Sequence, residues 1–70
     1  MDSIDYEEPV TLLMEGEKPR HLSLAAAVMY VMNLGSLLTR LHAAIVREGE
    51  PIIKLSEIEE IYARPDFPRQ

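Results

Sequence analysis

Leu24-Ala25-Ala26-Ala27-Val28-Met29-Tyr30-Val31-Met32, continued by Asn33-Leu34-Gly35-Ser36, is the stretch on which the fold turns. From His21 to Thr39 the chain holds no Asp, Glu, Lys or Arg. The alanines favour helix. A helix lying on a protein surface would keep a polar face; Leu24 to Met32 keeps none, so it demands cover on more than one side. Downstream, Thr39, Arg40, His42, Arg47 and Glu48 restore polarity and leave Leu38, Leu41 and Ile45 together. The spacing Leu24, Ala27, Val31, Leu34, Leu38, Leu41, Ile45 alternates three and four, as in a heptad seam. It predicts one long central helix over 24–48, ended by Gly49 and Pro51. A competing reading breaks that helix at residues 33–36, with Ser36 capping a second one. The residues leave both open.

Working outward, Pro9-Val10-Thr11-Leu12-Leu13-Met14 reads as a strand and Arg20-His21-Leu22-Ser23 as its return. Glu15-Gly16-Glu17-Lys18-Pro19 supplies the turn, which makes a β-hairpin over 9–23. On the other side, Pro51-Ile52-Ile53-Lys54-Leu55 is a short strand. Ser56 with Glu59 three residues later has the form of a capping box. It predicts a helix over 57–63, with Ile58, Ile61 and Tyr62 facing inward and Pro65 ending it. Residues 1–8 are acidic and expected to fray; residues 64–70 are expected to trail as an extended tail, with Phe67 folding back onto the core. The fold class is α+β, in a single small domain over 1–70.

Seventy residues bury only a modest core. There is no cysteine, so neither disulfides nor thiolate zinc can add to it. An unusually good core or oligomerisation is the remaining support. The net charge of −5 repels phosphate backbones unless the bases cluster, and Lys18, Arg20, Arg40, Arg47, Lys54, Arg64 and Arg69 are spread along the chain. Residues 1–9 carry Asp2, Asp5, Glu7 and Glu8 and no base. An export signal would begin positive and turn apolar, so the expected compartment is the cytoplasm.

Candidate chemistry is sparse. His21 and His42 are the only histidines, and no nucleophile has an activating neighbour at a recognisable spacing. The glycines form no phosphate-cradling loop. Glu57, Glu59 and Glu60 read as first-turn acids that complement the helix dipole, not as metal ligands. Pro65-Asp66-Phe67-Pro68 has PxxP spacing, a short pattern that arises easily by chance. No catalytic residue, cofactor or metal site is expected.

The reading that follows is a non-enzymatic interaction or regulatory protein. It would pair with a second copy through Leu24, Val28, Met29, Val31, Met32, Leu34, Leu38, Leu41 and Ile45. It would also bind another protein that is apolar at the centre and basic at the rim, opposite Glu57, Glu59 and Glu60. Two alternatives compete. The order strand, helix, Gly-containing turn, helix over about residues 10–48 resembles the ribbon-helix-helix DNA-binding dimers, which read bases with polar side chains on the ribbon. A helix-turn-helix centred on Gly35 would place Leu37-Leu38-Thr39-Arg40-Leu41-His42 in the groove, an apolar surface for that task. The other alternative is a single membrane span. The uncharged run is barely the roughly 20 residues required, and it contains Ser23, Asn33, Gly35 and Ser36.

Overall fold

A computed structural model of the chain describes residues 4–68. Strand β1 (Pro9–Leu13) and strand β2 (Arg20–Ser23) form the hairpin in antiparallel register, with Val10 opposite Leu22 and Thr11 opposite His21. Helix α1 (Leu24–Met32) follows directly, then a short helix α2 (Leu37–Leu41), strand β3 (Ala44–Val46) and helix α3 (Leu55–Tyr62). The sheet runs β2-β1-β3, so β1 lies at its centre, with Leu12 opposite Ile45. Period-two alternation explains the burial: Val10, Leu12 and Met14 point into the core while Thr11 and Leu13 do not. α1 packs on this sheet and against α3.

The hairpin over 9–23 and the α+β class are as the sequence implies; the single long helix is not. α1 ends at Asn33, whose N–H returns to the Met29 carbonyl at 3.0 Å. Ser36 accepts from the Thr39 N–H and starts α2, so the break at residues 33–36 is the reading the structure takes. Ile45 belongs to β3, not to a helix. The heptad spacing failed because β-branched Ile45 and Val46 gain more beside β1 than at the end of an exposed seam; there Ile45 is fully buried.

The cover that α1 needs comes largely from its own chain. Leu24, Ala27, Val28 and Val31 are fully buried between the sheet and α3, whose Ile58 and Ile61 complete the same core. Its N-terminus is also satisfied internally. The Leu24 and Ala25 N–H groups donate to the carbonyls of Glu8 and Tyr6 at 2.9 and 3.0 Å, and Ala26 N–H donates to Ser23 Oγ at 3.2 Å. Tyr6 to Glu8 are therefore held in place rather than frayed. Residues 1–3 of the expected acidic arm lie outside the described residues.

Three corrections concern the C-terminal third. The strand expected over 51–55 shrinks to one antiparallel bridge, Ile53 to Ile45, closed by hydrogen bonds of 2.9 and 3.0 Å. α3 then begins at Leu55, and its cap, Lys54, makes no side-chain bond. Ser56 lies inside the first turn, so the capping box does not form. Leu55, Ile58 and Ile61 share one buried face at helical spacing, and burying Leu55 outweighs a cap worth about 1 kcal/mol. The tail is not extended over its described part either: Phe67 N–H donates to the Arg64 carbonyl at 3.1 Å, and the Phe67 ring is buried. Among the described residues no helix is long and apolar enough to cross a membrane.

Candidate protein-binding face

α2 contributes no buried residue to its own chain. Leu37, Leu38 and Leu41 are 62%, 70% and 53% exposed. So short a helix is far too small to persist alone, so α2 is held by its ends. Ser36 caps the start. Arg40 reaches back to α1, where Nε donates to the Leu34 carbonyl at 2.9 Å and Nη2 to the Met32 carbonyl at 3.0 Å. One side chain thereby fills acceptors left open where α1 stops and fixes the leucines in place.

Beside α2 lies the hairpin turn. Gly16 takes the left-handed conformation there, with φ 77, which glycine adopts without steric cost. A small recess of about 140 Å³ separates the two, lined by Met14, Glu15, Glu17, Leu38, Thr39 and His42. Its volume is below the roughly 300–1,000 Å³ of small-molecule sites. His42 Nδ1 approaches Glu15 Oε1 at 3.4 Å, and Arg20 Nε approaches Glu17 Oε1 at 3.8 Å. Both pairs are exposed. Arg20 also stacks over the Tyr30 ring, 4.8 Å from its centroid.

The interface residues expected from sequence divide into three groups. Leu24, Val28, Val31 and Ile45 lie wholly inside the chain's own core. Met29, Met32 and Leu34 are half-buried against it, Met29 lining a shallow groove with Ala25, Ala26 and Tyr30. Leu38 and Leu41 are exposed. Glu57, Glu59 and Glu60 are solvent-exposed on α3; the carboxylates that share the recess with Leu38 are instead Glu15 and Glu17. Sequence reasoning missed Leu37, Met14 and these two glutamates. Leu37 falls outside the heptad phase and becomes notable only once the helix breaks at residues 33–36.

A second constellation joins the two ends of the described chain. Tyr6 Oη donates to Asp66 Oδ1 at 2.7 Å, while Arg64 Nε donates to Asp66 Oδ1 at 3.1 Å and to Tyr6 Oη at 3.2 Å. The Phe67 ring meets Tyr6 edge-on and Tyr62 at a tilt, with centroids 5.4 and 5.3 Å apart. Hydrogen bonds from Arg64, then Tyr6, hold the Asp66 carboxyl below the usual carboxylate range. Burial, then the bond to Asp66, pushes the Tyr6 hydroxyl up. The PxxP segment is thus engaged with its own chain at Asp66 and Phe67.

The geometry also bears on nucleic acid. An intermolecular ribbon needs a strand with a free edge, and β1 is paired on both sides. In a helix-turn-helix reading, α2's one cation is Arg40, and its guanidinium is turned back to Met32 and Leu34. Among the described residues no group of three or more His, Cys, Asp or Glu side chains is placed to hold a metal ion. No family model, curated protein or solved structure matches the chain.

Proposed function

We propose that this chain is a small interaction protein that performs no reaction of its own and acts by binding another protein at the α2 face. The observation that carries the reading is that α2, fixed by Ser36 and Arg40, buries none of its residues at home and presents Leu37, Leu38 and Leu41 to solvent. Single exposed leucines are ordinary; three on one short anchored helix form a patch. Glu15 and Glu17 share a recess with Leu38 at the edge of that patch, on a chain of net charge −5. A complementary protein is apolar at the centre and basic at the rim, and two copies face to face would set like charges together.

The test is a paired pulldown from native extract with immobilised full chain, wild type against Leu38→Asp/Leu41→Asp. A protein retained by the wild type and lost from the variant supports the reading. Equal retention by both removes α2 from it. Sedimentation of the pure chain belongs alongside: a dimer split by the same substitutions would give the face to a second copy. A shifted random duplex at low salt would revive nucleic-acid binding.

A further inference from the structure

We infer that the recess between the hairpin turn and α2 receives a lysine or arginine side chain of the bound partner, next to an apolar residue that the α2 leucines cover. The inference rests on the α2 face being the docking surface and adds the chemistry of what docks there. Met14 and Leu38 give the recess apolar surface, and Glu15 and Glu17 give it carboxylates. An apolar stem ending in a cation matches that layout, because long basic side chains bury their methylenes and keep the charged head near acceptors. The volume of about 140 Å³ suits one side chain rather than a cofactor. The present partners of the two glutamates are weakly held. His42 lies 3.4 Å from Glu15 and Arg20 lies 3.8 Å from Glu17, with all four side chains well exposed. Such exposed pairs contribute little, so an incoming cation displaces them readily. An acidic segment would set like charges against both carboxylates, and a purely apolar one would gain nothing from them.

The test immobilises the full chain and uses a display library of short random peptides as the probe. Selected peptides should pair a lysine or arginine with a nearby large apolar residue. A labelled copy of the commonest should lose about tenfold in affinity on Glu15→Gln/Glu17→Gln, the scale of two rim pairs, and bind more weakly as salt rises. It should lose all measurable binding on Leu38→Asp. Selected peptides without a basic residue, unaffected by the glutamine substitutions but lost on Leu38→Asp, would overturn the recess and leave the α2 face standing. Peptides that bind Leu38→Asp as well as the wild type would overturn both. Self-association of the chain abolished by Leu38→Asp would make a second copy the occupant and overturn the inference. Thermal melts of each variant, with Leu38→Ser as the milder replacement, separate lost binding from lost folding.

Discussion

The guanidinium of Arg40 donates to the carbonyl of Met32 at 3.0 Å, tying the second helix to the end of the first. Its Nε reaches the Leu34 carbonyl as well. A cation at a helix C-terminus is favoured by the macrodipole in addition to the bonds it makes. The same contact anchors α2 to the end of α1 and turns α2's one cation back toward α1.

Replacing Arg40 should therefore affect stability more than its partial exposure suggests. Arg40→Ala should lower unfolding free energy by about 1.5–3 kcal/mol, the scale of hydrogen bonds made by a charged group, with Arg40→Lys in between. Urea denaturation reads this directly. An unchanged midpoint for Arg40→Ala would mean that the contact does not anchor α2.

The helix starts give a contrast between two serines. Ser23 accepts from Ala26 N–H at 3.2 Å. Ser23→Ala should therefore cost about 1 kcal/mol, the usual worth of an N-cap. Ser56 lies within α3 and caps nothing. Ser56→Ala should then stay within about 0.5 kcal/mol of wild type, as surface substitutions do. A larger loss at Ser56 than at Ser23 would restore the capping box read from sequence.

Leucines should separate sharply by position. The Leu38 and Leu41 side chains already face water. Replacing either by serine should change stability by no more than about 0.5 kcal/mol. Leu12 is fully buried at the centre of the sheet. Leu12→Ala empties that site and should cost about 2–5 kcal/mol. Thermal or urea unfolding of the purified variants decides it. A strong destabilisation by Leu38→Ser would show that α2 packs against its own chain.

The Tyr6–Asp66 bond makes stability depend on pH at both extremes. Asp66 is depressed below its ordinary 3.8, so its contribution is complete above that value and is lost as pH falls through the folded one. Tyr6 is raised above its ordinary 10.0, so its contribution is complete below that value and is lost as pH rises through the folded one. The stability gap between wild type and Asp66→Asn should narrow in acid. The gap to Tyr6→Phe should narrow in alkali. Gaps that stay constant across a urea-midpoint series in pH would count against both assignments.

Phe67 closes the same cluster from the C-terminal side. Its buried ring touches Tyr6 and Tyr62. Phe67→Ala removes that ring and should cost about 3–5 kcal/mol. A change under about 1 kcal/mol, ordinary for an average substitution, would return the segment to the role of an extended tail.

Much of the architecture was legible because it depends on local chemistry. Alternation from Pro9 to Met14, Gly16 in the turn and the returning strand through Ser23 define the hairpin without reference to the rest of the chain. The apolar run from Leu24 to Met32 defines a covered helix. The break after it was legible only as one of two readings, since Leu34, Leu38, Leu41 and Ile45 keep heptad phase while Ser36 offers a cap. Hydrophobic spacing alone cannot tell a helical seam from a segment that leaves the helix for a sheet. Of the proposed docking face, the sequence singles out Leu38 and Leu41 as expected interface residues; Leu37, Met14, Glu15 and Glu17 it does not, because a face shared by a hairpin turn and a distant helix has no signature along the chain.

The sequence by itself determined the hairpin, the covered first helix and the need for cover on several sides, since propensity and periodicity act between residues a few positions apart. Only the tertiary structure decided what supplies that cover. Ile45 pairs across Leu12, Ile58 and Ile61 join the core that covers α1, and Phe67 returns to Tyr6, all within one chain. Those contacts join residues far apart in sequence, and their worth depends on apolar area removed from water, which no local pattern records. Once they have buried Leu24, Val28 and Val31, the leucines of α2 remain in solvent, as do Leu13 and Ile52.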